Sequence, residues 1–182
     1  MDIIEIIPNR IYSIRYDSEE TAEYYRLFNK EWTDVDFLMD YFQSHPEFTD
    51  NAFWGFIGND PEVASARVIK DANLLEKHLK ELANNSDGGA TPDLEQYFKL
   101  LEGKYFYELE LTPMKGYGFL ESSFLRLYAI RLGYNCFLIV YGGIKLNDTI
   151  QNSPVLKDNV FKKIDSVRQF LKDEGIMNSE DL

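Results

Sequence analysis

The strongest constraint in this 182-residue chain is a pair of strand-patterned runs separated by only three residues. Ser123–Leu132 (SFLRLYAIRL) leads through Gly133-Tyr134-Asn135 into Cys136–Tyr141 (CFLIVY). Both runs are rich in aromatic and branched side chains that suit a pleated, half-buried surface. A connection this short cannot cross over a sheet, so the two strands must be neighbours and antiparallel. After them come Gly142-Gly143-Ile144-Lys145-Leu146, read as a turn, and a helical run from about Val155 to Glu174. In that run Val160, Ile164, Val167 and Leu171 recur at helical spacing and make one apolar face.

The rest of the chain extends this frame. Arg10–Tyr16 alternates and reads as a strand, expected to pair with one edge of the later strands. Ser18-Glu19-Glu20-Thr21 looks like a helix start, with acids in the first turn. Thr33-Asp34 caps a second helix, which His45-Pro46 ends. Thr49–Gly58 is irregular and aromatic. Asp60-Pro61-Glu62 opens a long amphipathic helix to about Ala83, with Pro at its first position. Asn84–Thr91 is the one linker-like stretch, followed by a short helix over residues 92–101. Lys104–Leu111 alternates as a strand, and Thr112–Glu121, with Pro113, Gly116 and Gly118, reads as a turn. The expected fold is therefore a single α+β domain over residues 1–182. Its sheet is small, curved and mostly antiparallel, an N-terminal strand plus a three-stranded C-terminal meander, with helices packed on one face.

Charge divides the chain. Residues 1–103 carry 21 Asp/Glu and 9 Lys/Arg, whereas residues 104–175 carry 8 and 10, within a net charge of −12. Such an acidic protein repels nucleic acid in general, so no DNA binding is expected, and any RNA contact must be local to the C-terminal part. Residues 17–90 form an acidic helical elaboration with no chemical role in the sequence. No apolar run reaches bilayer length, and the N-terminus lacks a basic region followed by an apolar one. The single cysteine, Cys136, rules out an internal disulfide. These features lead us to expect a cytoplasmic protein without a membrane partner.

Familiar chemistry is mostly missing. There is no glycine-rich phosphate loop and no nucleophile elbow. His45 and His78 are far apart and lack Cys/His company, so no metal and no cofactor is expected. Cys136 has no basic neighbour in sequence and reads as a small buried residue. Glu108 and Glu110 alternate with Leu109 and Leu111, the pattern of a half-exposed strand.

Arg126 is different. Strand parity puts Phe124, Arg126, Tyr128 and Ile130 on one face, and Leu125, Leu127, Ala129 and Arg131 on the other. An arginine within an aromatic strand face must be paired, solvated by a cleft, or matched to an anionic ligand. Pairing with Glu108 or Glu110 across the sheet is the competing reading. Lys145 follows the next strand by a few residues and can converge with Arg126. RNA cleavage without a metal needs cations that hold the phosphate and an acid or base, for which Lys or Tyr can serve. The candidate catalytic residues are therefore Arg126, Lys145 and Tyr128, and the candidate substrate-binding residues Arg131, Tyr141 and Tyr117.

Three short segments carry a resemblance: Tyr105–Glu110 (YFYELE), Leu125-Arg126-Leu127-Tyr128, and Tyr141–Leu146 (YGGIKL) before the terminal helix. Over about residues 92–175 this arrangement resembles the RelE/ParE-type toxins, in particular the HigB-like branch. The resemblance implies a ribosome-dependent RNA endoribonuclease acting on mRNA, the toxin of a type II toxin–antitoxin system. Its implied partners are a helix-turn-helix antitoxin and the ribosome. Arg126 and Lys145 keep the family's basic positions. Glu110 stands where the family has an arginine, Tyr141 replaces a histidine, Gly143 a phenylalanine and Leu146 a lysine. Two other readings stand beside it: a non-catalytic relative acting through protein binding, and an unrelated α+β domain.

Overall fold

A fully buried strand with helices against both of its faces organises the molecule. The structure, a computed structural model, describes residues 1–45, 52–85, 92–101, 111–147 and 153–182. The chain begins with a hairpin, β1 (Asp2–Ile7) and β2 (Ile11–Arg15). Helix α1 (Glu23–Arg26) runs directly into a π-helical turn at Leu27–Glu31. Then follow α2 (Val35–Ser44), a 3-10 turn (Ala52–Ile57), the long α3 (Pro61–Asn84) and the short α4 (Leu94–Tyr97). Strands β3 (Lys99–Leu100), β4 (Thr112–Tyr117), β5 (Leu125–Gly133) and β6 (Cys136–Ile144) precede α5 (Pro154–Asp173). No helix among the described residues is long and apolar enough to cross a membrane.

The six strands form one sheet in the order β1-β2-β6-β5-β4-β3. Every pairing is antiparallel except β2 with β6, which run parallel. The α+β class, the antiparallel β5–β6 pair and the docking of the 11–15 strand on an edge of the meander match the sequence reading. So do two helix starts. Asp34 accepts from the Phe37 N–H at 2.8 Å, and Asp60 accepts from the Glu62 N–H at 2.8 Å.

Several expectations change. Helices cover both faces of the sheet, not one. Leu27, Trp32, Phe42, Val68, Leu75 and Leu79 pack on the side of Leu125, Leu127, Phe137 and Ile139. On the opposite side α5 lays Val160, Ile164, Val167 and Leu171 against Tyr128, Ile130, Leu138 and Val140. The unbroken apolar run of β6 is the cause, because a strand buried on both faces shows no alternation. Thr112–Tyr117 is a strand rather than a turn, since pairing with β5 supplies its hydrogen bonds. The predicted strand 104–111 lies almost wholly outside the described residues. The first helix begins at Glu23, later than the Ser18 start.

Gly142 and Gly143 also belong to β6 rather than to a turn. Their missing side chains serve close approach from either side of the sheet. A Cβ on Gly142 would meet a Leu27 methyl and lie 3.1 Å from Trp32 Cζ2, whereas one on Gly143 would lie 2.7 Å from a Leu156 methyl. Gly142→Ala is expected to cost about 1–3 kcal/mol through overpacking. Gly55→Ala, with nothing within 4 Å of the added carbon, is the near-neutral control. Urea unfolding of the two variants measures the difference.

Candidate functional site

Arg126 enters β5 opposite Tyr117 of β4 and Gly143 of β6. Its guanidinium lies 4.5 Å over the Tyr117 ring. Nη1 donates to the carbonyls of Ser123 at 3.0 Å and Leu125 at 2.6 Å. Among the described residues no carboxylate forms an ion pair with it. Burial holds its pKa below the ordinary arginine value, and the nearby Tyr128 and Tyr117 hydroxyls and Asp71 offset this only in part. Glu108 and Glu110, the alternative partners, fall outside the described residues.

Tyr128 is two residue pairs further along, opposite Tyr141. It is fully buried, and its hydroxyl finds no hydrogen-bond partner among the described residues. A phenol left in this state is costly, which marks the position as unusual. Burial raises its pKa strongly against the pull of Arg126, so the hydroxyl keeps its proton near neutrality and can donate it in a hydrogen bond. The Tyr128 and Tyr141 rings are stacked with centroids 6.5 Å apart.

Lys145 follows the end of β6. Its N–H donates to the Phe124 carbonyl at 2.7 Å, so the register sets it just beyond the Arg126–Gly143 pair. Its side chain is largely buried. Arg126, Tyr117, Tyr128 and Lys145 therefore gather at one end of the β4–β5–β6 meander.

Arg131 does not join them. Five residues along an extended strand place it about 17 Å from Arg126. It is exposed, and its Nε donates to both Glu95 oxygens, at 2.9 and 3.1 Å. Glu95 also accepts from the Asn135 N–H at 2.8 Å, so Arg131 ties the β5–β6 turn to α4. Phe124 also leaves its expected face, packing against Phe42 ahead of the strand.

No family model, curated protein or solved structure matches this chain.

Tyr141 points to a second cluster that the sequence does not reveal. Its ring lies 5.7 Å from the Arg26 guanidinium and 5.2 Å from Lys163 Nζ. Arg26 bridges Glu23 and Glu31, and Glu23 is only 1% exposed. Arg26 Nε donates to Glu23 Oε2 at 2.9 Å, and Glu23 Oε1 accepts from the Gly142 N–H at 3.2 Å. Lys163 sits 3.8 Å over the Tyr16 ring, and burial lowers its pKa despite the carboxylate of Glu23. Burial likewise raises Tyr141 to about 12. The π-helical turn and α5 open here into a cleft of about 530 Å³, lined by Glu19, Arg26, Glu31, Asp34, Tyr141 and Lys163.

The two clusters differ in electrostatics. Arg26 already satisfies two carboxylates, so its charge is spent within the protein. Arg126 forms no ion pair among the described residues, although the Asp71 charge acts on it. The partnership of Glu23 and Gly142 spans 119 residues, which no local pattern can show. The Glu23–Arg26 spacing at i, i+3 is its one visible sign.

Cys136 is 2% exposed, and burial pushes its thiol up to about 11. It is inert packing, in line with its apolar strand. The folded protein is expected to resist iodoacetamide in mildly alkaline buffer and to react fully once unfolded, as read by mass spectrometry.

Proposed function

We propose that this chain is a toxin-like RNA endoribonuclease in which Arg126 grips the scissile phosphate. One observation carries the reading: a half-buried guanidinium, free of carboxylate partners among the described residues, beside a buried tyrosine hydroxyl that donates to nothing there. Such a pair is preorganised for an oxyanion, because its donors have already lost water and need no reorientation. Arg126 offers planar donors that match phosphate oxygens. Tyr128, held protonated by burial, donates to a phosphate oxygen as charge develops there. Lys145 adds a cation at the same end of the meander.

In the reaction the 2′-hydroxyl oxygen bonds to phosphorus and the bond to the 5′ oxygen breaks. The 2′ proton leaves to a base, and the departing oxygen takes up a proton from an acid, leaving a cyclic phosphate and a 5′-hydroxyl. The resemblance adds the setting: mRNA on the ribosome, in the cytoplasm, with a helix-turn-helix antitoxin as the neutralising partner.

Induction in a bacterial host should arrest growth, and primer extension on translating mRNA should show new 5′ ends. Normal growth with confirmed folded protein argues strongly against this reading. A second reading, a non-catalytic regulator acting through protein binding, is favoured by the mixed-charge cleft that sets Glu19, Glu31 and Asp34 beside Arg26, Lys30 and Lys163, which suits a protein segment carrying both signs of charge. It predicts a stable partner from the source cells and no new RNA ends.

A further inference from the structure

The Tyr117 ring that carries Arg126 also lines a separate groove on the acidic, helical side of the chain. This groove, about 420 Å³, is walled by Leu82, Gln96, Tyr97, Lys99, Tyr117 and Phe119. Its rings are aligned as a stack. Phe119 is parallel to His78 with centroids 4.2 Å apart, and to Tyr97 with centroids 5.6 Å apart and planes within 13°. Phe119 and Tyr117 are 42% and 39% exposed, an unusual state for two large rings side by side. Tyr97 is fixed in place by donating its hydroxyl to the Tyr117 carbonyl at 2.9 Å. Gly116 gives it room, since a Cβ there would collide with the Tyr97 ring.

The polar groups around the rings fit one class of ligand. Gln96 is exposed on α4, and its side-chain amide makes no hydrogen bond among the described residues, so both a donor and an acceptor are open. Lys99 is an exposed cation at the edge of the groove. Asp93 also lines the groove, but its carboxylate already accepts from the Gln96 N–H at 3.3 Å and the Tyr134 hydroxyl at 2.8 Å. Exposed aromatic rings, an amide for a base edge and Lys99 for the backbone are what a single-stranded nucleotide requires.

We infer that this groove binds the unpaired base of a nucleotide next to the phosphate held by Arg126. The inference rests on the RNA reading above, and it gives the end of the acidic elaboration, at His78 and Leu82, a role in base recognition. Tyr117 joins the two subsites, with Arg126 on its ring and the groove beside it.

The test uses a fluorescein-labelled, fully 2′-O-methylated single-stranded RNA, which binds without being cut. Anisotropy then reads affinity for the full chain and its variants. Phe119→Ala and Gln96→Ala should each weaken binding, the former by about tenfold. In a series of RNAs with one abasic site each, a single position should weaken wild-type binding yet leave Phe119→Ala unaffected. Binding by both variants within twofold of wild type, with Arg126→Ala still defective in cleavage, overturns the base subsite alone. Weakening by Phe119→Ala together with unchanged cleavage by Arg126→Ala overturns the proposed catalytic site and leaves the groove standing. No RNA binding at all overturns both. A wild-type dimer that becomes monomeric in Phe119→Ala assigns the groove to self-association and overturns the inference.

Discussion

Arg126→Ala is expected to lower RNA cleavage by roughly 10²–10³-fold and to release the growth arrest, the size seen when one preorganised donor to an oxyanion is removed. Fold stability should change little. Among the described residues the guanidinium makes only carbonyl hydrogen bonds and one ring contact with Tyr117, and its burial already disfavours the charge. A thermal melt separates loss of chemistry from loss of structure. Arg126→Lys keeps the charge but loses the planar fork, so it should recover only part of the rate. Cleavage by Arg126→Ala at the wild-type rate, with an unchanged melt, would remove this residue from the site. Tyr128→Phe adds a finer reading. The hydroxyl has no hydrogen-bond partner to lose among the described residues, so this variant should be at least as stable as wild type while cutting more slowly.

Glu23→Ala should have the largest effect on stability, about 3 kcal/mol, at the lower end for breaking a buried ion pair because Arg26 keeps Glu31. Glu23 accepts from Arg26 and from the Gly142 N–H, so its loss leaves a partly buried cation with Glu31 alone and a buried backbone donor without its acceptor. The carboxylate joins α1 to β6 towards the strand's C-terminal end, where the helical side meets the sheet. Adding Arg26→Met to Glu23→Ala should restore part of the loss, since an apolar side chain of similar length needs no partner. Chemical denaturation of the single and double variants measures both values. A Glu23→Ala protein as stable as wild type would mean the carboxylate is solvated and the ion pair contributes nothing.

Much of the architecture is written in short-range patterns. The Gly133-Tyr134-Asn135 connection forces β5 and β6 together whatever surrounds them. Asp34 and Asp60 start helices because their carboxylates satisfy N–H groups two or three residues on. Val160, Ile164, Val167 and Leu171 make an apolar face at any stage of folding. Other features mislead because a local pattern has two meanings. Gly142-Gly143 signals a turn when seen alone, yet here it lets Leu27 and Leu156 approach one strand from opposite sides.

The candidate site divides along the same line. Arg126 within an aromatic strand stands out from parity alone, and its meeting with Tyr117 follows from strand pairing. Arg131 looks equivalent by residue type but turns to Glu95, 36 positions away. The Glu23–Arg26–Glu31 cluster and the ring stack of His78, Phe119 and Tyr97 depend on contacts between distant segments. Hydrophobic period, caps and turn length act within a few residues, so they are readable from the chain. Whether a charge ends up paired, solvated or waiting for a ligand depends on which distant groups share its low-dielectric surroundings, and only the packed fold brings those groups together.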